Sequence, residues 1–261
     1  MKKTIALLFV LTSMATVQGQ TTELIKKYHD PYTHSQLSEV YSVISGTYTK
    51  HGAYKSYDAK GHLTQEGSYL NGKETGTWKK YYGAATASLH NDPENWLDKL
   101  WETCDYKDGK RHGYRAKYSY PNGVKQFSHE WTYENGEIIK EVLYYDNGQK
   151  KASYQLNGEC KDWDEEGNIV AEHVYESGEP IKSIEYYANG QMKTLLQLNG
   201  ECGEWYEDGS KKKEYKFVNG NVVGEYKEWY ENGQLMFDNV YDEDSNLVSE
   251  KHFDQEGNII K

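Results

Sequence analysis

Tyr144-Tyr145-Asp146-Asn147-Gly148-Gln149 returns 42 residues later as Tyr186-Tyr187-Ala188-Asn189-Gly190-Gln191. After roughly the same interval the chain reads Trp229-Tyr230-Glu231-Asn232-Gly233-Gln234. Between the first two copies, Leu156-Asn157-Gly158-Glu159-Cys160 comes back as Leu198-Asn199-Gly200-Glu201-Cys202, again at 42. Repetition this regular implies an array of like units rather than one closed core. Asn-Gly between alternating runs is the strongest short hairpin signal, because a type I′ turn needs positive φ at both central residues.

Working outward, nine Asn-Gly pairs punctuate the chain, the first at Asn71-Gly72 and the last at Asn232-Gly233. Six more glycine turns fall at Gly61, Gly109, Gly167, Gly178, Gly209 and Gly257. Fifteen turns spaced about ten residues apart predict about sixteen short antiparallel strands. The fold class is therefore all-β: an elongated, twisted meander of hairpins, about 75 Å long at ~4.8 Å per strand. Each unit then touches only its neighbours, and stability becomes nearly a sum of local interfaces.

Hydrophobic content is only 36%, while aromatics reach 14%, with 25 Tyr and 7 Trp. That mix suits a repeat array whose amphipathic tyrosines replace a deep aliphatic core. Residues 1–19 read as a signal peptide: Lys2-Lys3, an apolar run from Ile5 to Val17, and small residues at Val17 and Gly19. Cleavage before Gln20 exports the chain and moves its formal charge from −11 to −13, with 28 basic against 41 acidic residues. Such acidity argues against nucleic-acid binding, which needs clustered Lys and Arg, and makes attachment to anionic membranes unfavourable.

Residues 20–40 are expected to form a leader and cap, 41–82 repeats, 83–100 an irregular insert, and 101–261 repeats ending in a C-terminal cap. Within the insert, Asp92 before Pro93 predicts a short helix from Pro93 to about Lys99. Cys160 and Cys202 occupy equivalent positions about 19 Å apart, too far for a disulfide, which needs Cα atoms within about 7 Å.

The pattern Tyr-x-Asn-Gly (Tyr69, Tyr120, Tyr133, Tyr145, Tyr187, Tyr230) recurs with Gly-x-Trp or Gly-x-Tyr, as in Gly76-Thr77-Trp78, Gly203-Glu204-Trp205 and Gly224-Glu225-Tyr226. This resembles the MORN repeat in its bacterial variant form, over most of 41–261. Trp163 departs from the pattern, since no glycine precedes it at the usual place. The resemblance implies a hairpin array used for binding proteins, membranes or further copies. One bacterial branch is similar to the antitoxin halves of toxin–antitoxin pairs. The bare repeat implies no catalytic residue and no cofactor, and the chain is expected not to be an enzyme.

Other chemistry is weak. His29 and His34 stand close together without a Cys or paired carboxylate at ligand spacing. Asp242-Glu243-Asp244 begins like a calcium loop, but Leu247 replaces the turn glycine and Phe253 the bidentate Glu. The candidate binding residues are the repeated aromatics Tyr145, Tyr187, Tyr230, Trp163, Trp205 and Trp229. Read blandly, they are cross-strand pairs that hold the sheet. Read functionally, they present an aromatic ladder to a partner. A protein partner, such as a secreted toxin with a basic face, is the leading expectation; a cell-wall glycan stacked on the aromatics and a lipid surface are the alternatives.

Overall fold

The computed structural model describes residues 15–17 and 19–260. All but the strand residues 15–17 and Gly19 of the predicted signal peptide lie outside the described residues. The chain forms two compact units, 1–139 and 140–261. The first is an antiparallel meander of β1 (Ala15–Val17), β2 (Gln20–Tyr28), β3 (Leu37–Ile44), β4 (Lys50–Tyr57), β5 (Leu63–Leu70), β6 (Lys73–Tyr81), β7 (Leu100–Lys107), β8 (Lys110–Ser119) and β9 (Gln126–Glu134). The strand β10 (Glu137–Tyr144) carries the boundary, and its residues from Lys140 onward pair with β11 (Lys150–Gln155). The second unit continues through β12 (Gly158–Trp163), β13 (Ile169–Glu176), β14 (Glu179–Tyr186), β15 (Met192–Gln197) and β16 (Gly200–Trp205). It ends with β17 (Lys211–Val218), β18 (Asn221–Trp229), β19 (Leu235–Tyr241) and β20 (Leu247–Ser249).

Twenty strands thus stand among the described residues where about sixteen were expected. The difference lies mainly in the N-terminal stretch. Residues expected as a leader form β2, which pairs along its length with β3 and buries Ile25 to 4% exposure. Nothing in Gln20–Tyr28 carries the glycine punctuation of the later repeats, so its strand character was hidden.

One cross-strand pair recurs through both units. Gly52 opposes Tyr69, Gly76 opposes Tyr106, and Gly113 opposes Tyr133. In the second unit Gly158 opposes Tyr175, Gly200 opposes Phe217, and Gly224 opposes Tyr241. All six glycines have positive φ, between 67° and 146°. A Cβ is strained there, so the position demands glycine.

The buried cluster of the first unit is Ile25, Tyr41, Val43, Tyr54 and Trp78, with Tyr69 and Tyr106 against it. Gly67 makes room for Trp78: a Cβ on Gly67 would lie 2.2 Å from the indole ring. The Lys50 ammonium sits 4.4–4.8 Å from the centroids of Tyr41, Tyr54 and Tyr69, and burial holds its pKa below the usual lysine value. The second unit buries smaller side chains, chiefly Ala152, Cys160, Ile184 and Cys202.

The insert is not the predicted helix from Pro93 to about Lys99. It contains one α-helical turn, α1 (Ala84–Ala87), and a 3-10 turn over Pro93–Asn95. Asp92 makes no side-chain cap, and Asp98 adopts positive φ, which ends any helix. The segment is held instead by rings: Trp96 stacks on His90 at 3.8 Å and meets Tyr82 and Tyr120 edge-on. Asp58 accepts the Ala84 N–H at 2.7 Å, anchoring the start of α1.

Candidate binding surface

In the second unit the turns fall into two kinds that largely separate between the two rims of its sheet, the second-rim turn 242–245 sharing the first-rim pattern. On the first rim of the second unit the turns are 145–148, 164–167, 187–190, 206–209, 230–233 and 254–257. In each, the glycine N–H bonds back three residues, and the glycine has positive φ. This is a three-residue loop closed by a bulge, not type I′. Asn147, Asn189 and Asn232 keep negative φ because their side chains have another task. Each Oδ1 accepts the N–H of the following Gln at 2.9–3.0 Å. Each Nδ2 donates to a carbonyl of the next turn on that rim, at Glu165, Glu207 and Gln255.

Positive φ at both residues of the pair, expected at every Asn-Gly, is found at four of the nine, Asn122-Gly123 among them. Asn71-Gly72, Asn135-Gly136 and Asn219-Gly220 have positive φ at both residues, as do Asp108-Gly109 and Ser177-Gly178. Asn157-Gly158 and Asn199-Gly200 depart from it. There the backbone ladder between β11 and β12 stops at Ser153–Lys161, and a thiol completes the hairpin. Cys160 Sγ accepts the Gln155 N–H at 3.2 Å and donates to the Gln155 carbonyl at 3.5 Å. Cys202 does the same for Gln197 at 3.2 and 3.6 Å. Both cysteines, like Cys104, are buried free thiols.

The six predicted aromatics lie along the first rim, all half-buried. The tyrosine hydroxyls point inward to the backbone. Tyr145 donates to the Trp163 carbonyl at 2.8 Å, Tyr187 to Trp205 at 2.9 Å, and Tyr230 to Phe253 at 3.0 Å. Trp229 receives its bond from Tyr206, a residue the Tyr-x-Asn-Gly pattern missed because Asp208 replaces the asparagine. The structure therefore brings Tyr145 to Trp163 and Tyr187 to Trp205, as fasteners between neighbouring turns. Trp205 also covers Gly203, while at Trp163 the equivalent place is Lys161, bonded to Glu172 at 2.8 Å.

The side chains left available are elsewhere. On the second rim, Pro180, Leu196, Leu198, Cys202, Tyr215 and Phe217 line an apolar groove of about 310 Å³. Leu196 and Leu198 stay 48% and 47% exposed, and their counterparts one period earlier, Tyr154 and Leu156, 42% and 50%. Sequence reasoning noticed Leu-Asn-Gly-Glu-Cys only as a repeat. The usable signal was a leucine kept twice beside a turn, where a polar residue would ordinarily stand.

The model of the MORN repeat variant family matches residues 50–71, 156–177 and 222–243. Each window opens two residues before a positive-φ glycine and contains its aromatic partner: Gly52 with Tyr69, Gly158 with Tyr175, Gly224 with Tyr241.

The chain carries MORN variant repeats at these three places.

The other three glycine–aromatic pairs place further MORN-like hairpins between the matched ones. No curated protein sequence matches the chain. Among solved structures, the MORN repeats are similar to a chain in the crystal structure of TcdB2-TccC3-Cdc42, at 13% identity and a TM-score of 0.24. That match covers 95% of this chain and 14% of the other. A second is a mutant of S. aureus TarM in complex with Fondaparinux, alpha-GlcNAc-glycerol and UDP, at 10% identity, a TM-score of 0.18, and 54% and 20% coverage. The chain thus spans a small fraction of the solved chains it matches.

The MORN array has a strong charge asymmetry. Residues 140–261 contain 26 Asp and Glu against 13 Lys and Arg, whereas residues 1–139 contain 15 against 17. The six first-rim turns of the second unit hold nine carboxylates and no Lys, Arg or His. Asp164, Asp208 and Asp254 bond their own turns, with first contributions from Asn168, Ser210 and Asn258 that hold their carboxyls below the ordinary value. Asp242, the start of the calcium-like stretch, likewise accepts the N–H groups of Asp244 and Asn246. His29 and His34 have separate partners, the Tyr57 carbonyl and the Tyr28 ring. Among the described residues no helix is long and apolar enough to cross a membrane.

Proposed function

We propose that this protein is an exported, non-catalytic scaffold that binds another protein through its second unit. The observation that carries this reading is the apolar groove at Leu196, Leu198 and Phe217 within a unit of strongly acidic balance. Apolar side chains give affinity, and surrounding carboxylates speed the approach of a basic partner. A secreted toxin with a basic face fits that chemistry, with the chain as its immunity partner. Glycan stacking is less well supported, because the repeated tyrosines spend their hydroxyls on backbone carbonyls and remain half-buried. Processing before Gln20 would remove β1 and leave β2 outermost, still paired with β3.

The test is capture by the tagged, exported full chain from its own envelope fraction, followed by hydrogen exchange with the captured partner. The expected result is one stoichiometric protein that protects 180–183 and 196–217, bound to a chain whose intact mass begins at Gln20. Retention on cell-wall polysaccharide with no protein, or protection confined to the first unit, would overturn the reading.

A further inference from the structure

The exposed leucines define two like stations one period apart, of which the second carries the groove. Leu156 and Leu198, and with them Tyr154 and Leu196, are 42 residues apart and sit in the same local frame. In both places a cysteine thiol closes the hairpin onto a glutamine, and that glutamine's Nε2 donates to the carbonyl before the cysteine, at Glu159 and Glu201. These shared bonds put both leucines on the same face and rim, although the turn glycines differ in φ, 99° at Gly158 and 146° at Gly200. The stations are four strands apart, about 19 Å at ~4.8 Å per strand. An extended chain advances about 3.3 Å per residue, so about six residues bridge them.

Charge decides what covers this face. Glu159, Glu176, Glu179 and Glu201 are exposed along the same rim, outnumber Lys182, the one charged residue lining the groove, and make no salt bridge among the described residues. A second copy would bring carboxylates against carboxylates, and an anionic lipid surface would be repelled in the same way. Building on the protein-binding reading above, we infer that this rim recognises an extended protein segment. That segment has two apolar side chains about six residues apart, with lysines or arginines around them. The apolar anchors seat at Leu156 and at Leu198, and the basic residues face the four glutamates.

The probes are fluorescent 14-residue peptides rich in lysine, with two leucines separated by three, six or nine positions, or with one leucine only. Anisotropy with the full wild-type chain should give at least tenfold tighter binding for the six-residue spacing than for the others. Leu156→Asp and Leu198→Asp should each abolish the preference for two anchors. The variant carrying Gln at positions 159, 176, 179 and 201 should flatten the salt dependence. Equal affinity for every spacing overturns the proposal, and so does retention of the wild-type chain on anionic vesicles. Dimers that Leu198→Asp converts to monomers would assign the face to a second copy and overturn it as well. The spacing series uses only the wild-type chain, so it decides the matter even if a variant fails to fold. If the envelope partner still binds both Asp variants, this inference falls while the protein-binding reading stands.

Discussion

Gly67 shows how closely one residue can be specified. Its φ is ordinary, yet a Cβ there would overlap the indole of Trp78 at 2.2–2.6 Å. Trp78 is 3% exposed and packs on Tyr54 and Tyr69, so it has nowhere to retreat. Gly67→Ala should therefore destabilise the chain by about 3 kcal/mol, at the upper end for overpacking. Urea unfolding followed by tryptophan fluorescence checks this. Cys160 is specified differently, by the two backbone groups of Gln155 that its thiol satisfies. Cys160→Ala leaves them unpaired and should cost about 1–3 kcal/mol. The equivalent change at Cys202 should match it, measured in the same urea experiment. A sequence reader sees two cysteines at a shared spacing and can only decide that they do not bridge. That a thiol can finish a hairpin in place of the ladder becomes visible only with the strand ends in position.

At the scale of the element, the first-rim turns 145–148, 187–190 and 230–233 are each fastened to the next turn by a tyrosine hydroxyl and an asparagine amide. Tyr145→Phe and Tyr230→Phe should each cost about 1 kcal/mol, the net worth of one hydrogen bond. They share no partner, so the double variant should show the sum of the two, within ~0.5 kcal/mol. A clear excess would mean that the turns act as one cooperative unit rather than as separate links. The same turns set the acid response. Hydrogen bonds hold Asp164, Asp208, Asp242 and Asp254 below the ordinary value of 3.8. A carboxyl lowered on folding stabilises fully above its unfolded value and loses that contribution as pH falls through its folded one. Stability should thus be flat in this respect above about pH 4 and fall below it. Denaturation midpoints from pH 6 to pH 2 would show this, with a shallower fall in a chain carrying Asn at all four positions. Turn existence was legible from Gly and Asn-Gly alone. Turn type was not, because Asn147 and Asn219 are followed by the same glycine. What separates them is loop length, three residues closed by a bulge at Asn147 against two at Asn219, which strand register sets.

For the molecule as a whole, the array of antiparallel hairpins was readable from period and turn spacing, and so was the recurrence of the aromatics at like repeat positions. Their role was not readable, since a tyrosine turned toward a carbonyl and one turned toward a partner look alike in sequence. The groove escaped for the opposite reason: its leucines sit at and just beyond the end of β15, beside a turn, where apolar residues are not sought. The charge asymmetry, by contrast, needed only the boundary near Ile139 to be seen. It predicts that neutralising the nine first-rim carboxylates of the second unit will raise the isoelectric point and slow partner association at low salt. The effect should vanish at 1 M salt, where the Debye length is about 3 Å. Stopped-flow association at two salt concentrations measures it.

The two rims also bear on how such a chain can change length. A deletion of one strand and its turn would exchange the rims for everything downstream, setting bulged loops where two-residue turns belong. A deletion or duplication of 42 residues restores every fastener, because Tyr145 and Tyr187, Cys160 and Cys202, and the Leu stations all recur at that interval. Copy number in this lineage is therefore free to drift only in whole periods. Each step adds or removes one set of fasteners and one exposed leucine without disturbing those that remain.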